Sequence, residues 1–281
     1  MTWRVGDIIG IVEEIAPPEL AEAWDNVGLQ VGSRDWPVRR LWVALDPLPQ
    51  VVDAACGASV DLLITHHPLI FKPLTSVDCT TPTGGIIWTS LEHRMSVFSA
   101  HTNLDAVTHG VNDTLARRIG LRNLQALVPE DRGDSGAASG AGLDEQAAAQ
   151  GLGRIGDLPR KSTLVSLAAE VKAGLGKAGV AMAGDPDLPV EKVALCSGSG
   201  ASLLDRFLAS DAQVYISGDL RYHDAREVEN AGKGLLDIGH FASEHLIVAV
   251  LADRLRKALT NVGAPVTVEA CRLETDPFVI I

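Results

Sequence analysis

Aromatic side chains are scarce: five Trp, two Tyr and five Phe in 281 residues. A surface that binds nucleic acid by interleaving cations with stacking rings has little to draw on here. Basic charge is short as well. Lys and Arg number 24 against 36 Asp and Glu, a formal net charge of −12. That balance opposes the phosphate neutralisation on which nucleic-acid binding rests. It does not oppose a small anion held by a metal. The four cysteines, Cys56, Cys79, Cys196 and Cys271, stand far apart with no Cys-x-x-Cys. This argues against a disulfide framework and against a cysteine-based structural zinc. Cys56 and Cys196 fall in apolar stretches and read as small core residues. No apolar run approaches the roughly 18 residues of a membrane span. The start, Met1-Thr2-Trp3-Arg4-Val5-Gly6-Asp7, has no signal-peptide pattern. The expectation is a reduced, cytoplasmic protein that crosses no membrane.

The remaining composition is that of a globular chain, 46% hydrophobic and 21% charged, long enough for one large domain or two smaller ones. Val5, Ile8, Ile9, Val12 and Ile15 recur at helical spacing and Pro17-Pro18 ends the pattern. Short apolar runs then alternate with helical stretches. Arg39 to Leu45 reads as a strand, Pro49 to Ala58 as a helix and Val60 to Ile64 as a buried strand. Gly84 to Arg94 reads as a helix, Val97 to Ala100 as a strand, and Val111 to Ile119 as a helix stopped by Gly120. Asp131 to Gln150 has few large apolar side chains and reads as a mobile loop with a short alanine-rich helix at its end. Beyond it the same grammar resumes: a helix over Ser162 to Gly174 and strands at Lys192 to Cys196, Val214 to Ser217 and Leu235 to Ile238. Ser243 reads as the N-cap of a long helix to about Leu259, and Val266 to Cys271 and Phe278 to Ile281 as closing strands.

Strand alternating with helix predicts α/β architecture: two three-layer α/β/α domains with mixed sheets. The first spans 1–127, a low-complexity loop 128–150, and the second 151–281, with C-terminal strands available to complete the first sheet. A duplication accounts for the shared grammar, although no sequence repeat is visible.

Of eight histidines, five (His66, His67, His101, His223 and His240) fall directly after an expected strand. Open α/β sheets bind ligands at the carboxyl ends of their strands. In Thr65-His66-His67-Pro68 two adjacent imidazoles can share a site only if the strand stops, and Pro68 favours a stop. Carboxylates Asp105, Asp219 and Glu244 lie in the same strand-end loops. Imidazole with carboxylate is a ligand set for zinc, iron or manganese, and the surplus over three ligands points to two cations. His93, His109 and His245 read as structural. The turn Ser197-Gly198-Ser199-Gly200 before a helix is a weak candidate for anion binding; a tight turn that needs glycine explains it as well.

Five blocks occur in order: Trp24-Asp25-Asn26-Val27-Gly28-Leu29-Gln30-Val31-Gly32, Thr65-His66-His67-Pro68, His101-Thr102-Asn103-Leu104-Asp105, Gly218-Asp219 with Tyr222-His223, and Gly239-His240 with Ser243-Glu244. Together they resemble the GTP cyclohydrolase I type 2 homologues, a dinuclear-metal-centre family. The resemblance implies two interlinked α/β/α domains in a homo-hexameric ring. It implies two divalent metal ions per chain, held by His66, His67, Asp105, His240 and Glu244. It also implies a hydrolase in which metal-activated water opens the imidazole ring of a guanine nucleotide. Some members carry an extra domain mid-chain, for which 127–190 leaves no room here. His101 and His223 are the expected acid/base groups, and Arg154, Arg221 and the 197–200 turn the only phosphate anchors. Hydrolysis of a phosphoester and a non-enzymatic role in metal binding, delivery or regulation stand as alternatives. The partner expected is a small-molecule or nucleotide substrate.

Overall fold

The structure is a computed structural model that describes residues 2–130 and 150–280. In chain order the first stretch contains α1 (Val5–Ile15), β1 (Gly28–Val31), β2 (Arg40–Ala44), α2 (Pro49–Gly57), β3 (Leu62–Thr65), α3 (Pro82–Glu92), β4 (Ser96–Ser99), α4 (Thr102–Ala106), α5 (Val111–Ile119) and β5 (Arg122–Pro129). The second contains β6 (Gly151–Thr163), α6 (Leu164–Gly174), β7 (Ala181–Ala183), β8 (Pro189–Ser199), α7 (Leu204–Ala209), β9 (Val214–Gly218), α8 (Tyr222–Asn230), β10 (Gly234–Asp237), α9 (His240–Glu244), α10 (Leu246–Asn261) and β11 (Thr267–Ala270). The loop and alanine-rich helix expected over 131–149 lie outside the described residues.

The chain forms two compact units. The first comprises the residues up to Leu104 together with Ile247–Thr275; the second comprises Asp105–Leu246 and the residues from Asp276 onward. This division differs from one placed near residue 127. Leu115 and Ala116 of α5 belong to the second unit's core, and β5 pairs with β6. Asp105 therefore begins the second unit. β5 escaped the sequence reading because most of its side chains are exposed or half-buried, so it lacks an apolar signature.

The first unit's sheet has the order β1-β4-β3-β2-β11. β11, β2, β3 and β4 are mutually parallel, and β1 runs antiparallel on the edge. Both faces are covered. Ala44 and Leu63 pack with Val51, Val52 and Ala55 of α2 and Ile86 of α3. The alternate residues Leu41, Val43, Leu62 and Ile64 are just as buried on the other face. Leu41 stands beside Leu62, and Thr65 beside Ser99. The carboxyl ends of three neighbouring strands thus come level.

The second unit's sheet has the order β5-β6-β8-β9-β10-β7, with β8, β9 and β10 parallel and the rest antiparallel. One face packs Val193, Leu195, Val214, Ile216 and Leu236 against α5 and α6. The other packs Ala194, Tyr215 and Leu235 against α7 and α8. This is a three-layer α/β/α arrangement with a mixed sheet. Thr163 caps α6 by accepting from the Ser166 N–H. Gly120, at φ 91°, ends α5 in the left-handed conformation glycine tolerates. No strand forms over 278–280.

One charge lies wholly inside this second unit. Arg154 on β6 is fully buried. Its five N–H groups are all used: Nε donates to Asp113, Nη1 to the carbonyls of Gly151 and Gly153, and Nη2 to those of Ala106 and Val107. It cannot serve as a phosphate anchor, because no donor is left to turn outward. Its role is to hold the loop that follows Asp105. Arg154→Met should lower stability by about 3–5 kcal/mol, since Asp113 would remain buried without its cation. A fall in the urea midpoint of unfolding reads this out. A loss below about 1 kcal/mol, the scale of a surface pair, would contradict the role.

Candidate metal centre

In the first unit, β3 ends at Thr65, and the next residues keep the sheet's backbone pairing. The His66 N–H donates to Ala44 O at 3.2 Å and the His67 N–H to Leu45 O at 2.9 Å. Thr65 Oγ1 donates to His67 O at 2.7 Å and Ser99 Oγ to His66 O at 2.8 Å. These bonds tie the turn down, and the two imidazoles gather rather than diverge, with ring centroids 5.0 Å apart. His101, two residues past β4, joins them at 5.1 Å from His66 and 5.5 Å from His67. One ring nitrogen from each of the three lies within 4.8 Å of the others.

Each ring is held from behind. His66 Nδ1 lies 3.0 Å from Ala100 O, His67 Nδ1 2.7 Å from Asp46 Oδ1, and His101 Nδ1 2.9 Å from Asp25 Oδ1. A carbonyl can only accept, so His66 carries its proton on Nδ1 and its lone pair on Nε2. A carboxylate favours the same tautomer at the other two. This is how metal-binding imidazoles are oriented. Asp25 is itself fixed. Burial resists its ionisation, but hydrogen bonds from His101 and Thr102 outweigh that and hold its carboxyl well below the usual range. The backbone amides of Leu45 and Asp46 both donate to the Glu274 carboxylate, which steadies the loop behind His67.

The second unit repeats the device at the ends of β8, β9 and β10. His240 Nδ1 lies 2.7 Å from Asp219 Oδ2, and its Nε2 lies 2.9 Å from Glu244 Oε2. The long helix expected from Ser243 to about Leu259 begins later, at Leu246, and a separate short helix precedes it. Gly239, at φ 78°, opens α9, which closes at Glu244, and α10 begins afresh at Leu246. Ser243 is not an N-cap: its hydroxyl donates to His240 O and accepts the Gly198 N–H. Within one turn of α9, His240 and Glu244 stand at i and i+4 on one face.

The turn after β8 fits against these groups, and the amides of Ser197, Gly198 and Gly200 are used inside the protein. Ser197 N donates to Asn112 Oδ1, Gly198 N to Ser243 and Gly200 N to Ser217. These three N–H groups are therefore not offered to an anion, which counts against the anion-binding reading of this turn. Ser197 Oγ instead donates to Asp105 Oδ1 at 3.2 Å. Asp105, His240 and Glu244 therefore border the same short turn. Cys196 beside it stays a neutral thiol: burial, then the Asp105 and Glu244 carboxylates, push its pKa far above the ordinary value.

His223 is not drawn into either group. It sits exposed in the first turn of α8, its ring edge-on to Tyr222 at 5.4 Å. Arg221 is exposed and pairs with Asp224. His93 caps α3, bonded to Thr89 O, and His245 stacks on Phe241 at 4.5 Å. The sequence marks Asp219 as a strand-end carboxylate, but nothing in it assigns an orienting role to Asp219, Asp25 or Asp46. Asp46 and Asp219 end strands, and Asp25 lies in the first motif block; strand ends were the available signal.

The profile of the Duf34/NIF3 (NGG1p interacting factor 3) family matches residues 3–277. The chain belongs to the Duf34/NIF3 family. It is 32% identical over 279 residues to a Clostridium perfringens protein named GTP cyclohydrolase 1 type 2 homolog, covering 99% of this chain and 100% of that protein. A Streptomyces coelicolor protein of the same name is 34% identical over 278 residues, covering 98% and 93%. Among solved structures, a Bacillus cereus protein related to NIF3 superposes with a TM-score of 0.88 at 26% identity over 99% of both chains. In this Duf34/NIF3 protein, His, Asp and Glu clusters that could bind metal ions occupy the strand-end loops.

Two tests follow. A Cβ at Gly198 would stand 2.1 Å from Glu244 Oε1 and 3.4 Å from His240 Nε2, at φ +62°. Gly198→Ala should therefore displace Glu244 and weaken metal binding by about 10- to 100-fold, the usual scale for disturbing a ligand's support. Competition with a chelator measures it; unchanged affinity would show that Glu244 does not ligate. Separately, the Asp224 carboxyl is held below its usual range by hydrogen bonds from Arg221. A lowered folded-state pKa gives stability that is present above the unfolded value near 3.9 and is lost as pH falls below it. Asp224→Asn should make unfolding less steep in pH below about 4 and cost stability at pH 7.

Proposed function

We propose that the chain is a dinuclear metal-dependent hydrolase, with His66, His67, Asp105, His240 and Glu244 holding two divalent ions. The observation that carries the reading is the support behind four imidazoles. His66, His67, His101 and His240 each have Nδ1 against a carbonyl or carboxylate. That arrangement turns Nε2 into the ligating nitrogen. A nitrogen and oxygen donor set of this kind fits zinc, iron or manganese. When bound, such ions bring the pKa of water toward neutrality and stabilise developing negative charge.

The chain's own residues do the rest. Asp46, Asp25 and Asp219 fix the tautomers of His67, His101 and His240. In this reading His101, whose ring nitrogen lies within 4.8 Å of those of His66 and His67, ligates or moves a proton at Nε2. His223 keeps its assignment as an acid/base group in this reading, from the motif alone. The relatives' name, GTP cyclohydrolase 1 type 2 homolog, supports a nucleotide substrate and opening of the guanine imidazole ring with loss of formate. A homo-hexamer belongs to the same proposal.

The test is to incubate metal-loaded protein with GTP and to assay formate and a pterin-like fluorescent product. His67→Ala and Glu244→Ala are run beside it, and native mass gives the assembly. Turnover should depend on metal and fall at least 100-fold in both variants. Turnover that survives in both would sink the mechanism. No turnover across a nucleotide and phosphoester panel, with metal tightly held, would favour the metal-binding protein instead.

A further inference from the structure

We propose that Trp24 and Phe71 are the seat for a flat heteroaromatic ring of a small-molecule substrate, beside the imidazoles of the first unit. Trp24 is 58% exposed and Phe71 51% exposed. Their centroids are 5.8 Å apart at an interplanar angle of 61°. Both reach the histidine cluster: Trp24 lies 6.1 Å from His101 and Phe71 lies 6.5 Å from it, each edge-on. In a chain with so few aromatics, two large rings left half in water at one place stand out.

The rings are exposed on backbone that is tied down. The residue after Trp24 is Asp25, whose carboxylate accepts from His101, the Thr102 N–H at 3.0 Å and the Thr102 hydroxyl. Glu22 N donates to Thr102 Oγ1 at 2.9 Å. The residue before Phe71 is Ile70, whose N–H donates to Gln30 and whose carbonyl accepts from Asn26 Nδ2 at 2.6 Å. Gln30 in turn donates to Asn26 O at 2.8 Å. The polar residues of Trp24-Asp25-Asn26-Val27-Gly28-Leu29-Gln30 thus serve to hold two aromatic side chains next to His101. What sets these two rings apart from other exposed aromatics such as Trp88 is that they meet each other and the histidine cluster on a braced frame, which keeps apolar surface ready for a ligand.

The geometry selects the occupant. The two rings are inclined and offset, so a planar ring can lie on one face and meet the other edge-on, the arrangement aromatic groups prefer. Stacking on a side chain of this kind commonly strengthens binding of a base by about tenfold to a hundredfold. The formal charge of −12 disfavours a long polyanion and leaves a small molecule. This assignment rests on the metal reading above for what then happens to the ring, but not for the binding itself.

Calorimetric titrations of zinc-loaded protein with guanosine, adenosine, uridine and inorganic tripolyphosphate test it. The proteins compared are the native chain, Trp24→Ala, Trp24→Phe and Phe71→Ala. At least one nucleoside should bind, weaken tenfold or more in both alanine variants and recover most of its affinity in Trp24→Phe. Tripolyphosphate affinity, zinc content and native mass should stay within twofold of the native values. Equal nucleoside affinity in all variants, no nucleoside binding at all, or a change confined to assembly mass would overturn the proposal. The titrations are repeated on metal-free protein. Ring binding that persists there, and still needs Trp24, keeps the seat even where zinc fails to load and the metal reading falls.

Discussion

A neutral imidazole has two nitrogens and one proton, and it can serve a cation only through the nitrogen without it. The strand-end loops hold four imidazoles in the orientation that this constraint demands. At His66 the proton is held by a backbone carbonyl, and at His67, His101 and His240 by Asp46, Asp25 and Asp219. Asp219 is exposed, but Asp25, Asp46 and the Ala100 carbonyl are buried or half-buried polar groups whose loops must themselves be supported. Hence the further shells: Thr102 on Asp25, the Leu45 and Asp46 amides on Glu274, Ser243 and Asn112 on the turn after β8.

Parallel strand pairing makes this affordable. In each sheet three neighbouring parallel strands, β2 to β4 and β8 to β10, end level. Their last residues supply side chains from different parts of the chain without long loops. Burial on both faces keeps those ends rigid. The same logic explains α9. One short turn opened by Gly239 places His240 and Glu244 on a single face, and Gly198 passes so close that no side chain fits there.

Arg154 shows how far the supporting structure extends. It touches no candidate ligand, yet two of its donors hold the carbonyls of Ala106 and Val107, the residues that follow Asp105. A residue read as a phosphate anchor is, by burial and by its full set of partners, a brace. The aromatic pair Trp24 and Phe71 is the opposite case: well-braced backbone with side chains left outside.

The sequence by itself determined the α/β class and nearly every strand that precedes a histidine, and it singled out His66, His67, Asp105, His240 and Glu244 as candidate ligands. These were legible because they rest on local rules: apolar period, glycine and proline punctuation, and motif blocks that survive as strings. Gly120 and Thr163 fell where local capping chemistry puts them. What only the tertiary structure decided is long-range. That Asp25 belongs to His101, 76 residues away, depends on which strand ends lie side by side. That Ser243 bonds Gly198 and so does not cap a helix depends on the β8 turn arriving from 45 residues upstream. That the division falls at Leu104 depends on α5 and β5 finding their apolar partners in the second sheet. Pairings of this kind are set by packing between distant segments, and no window of neighbouring residues contains them.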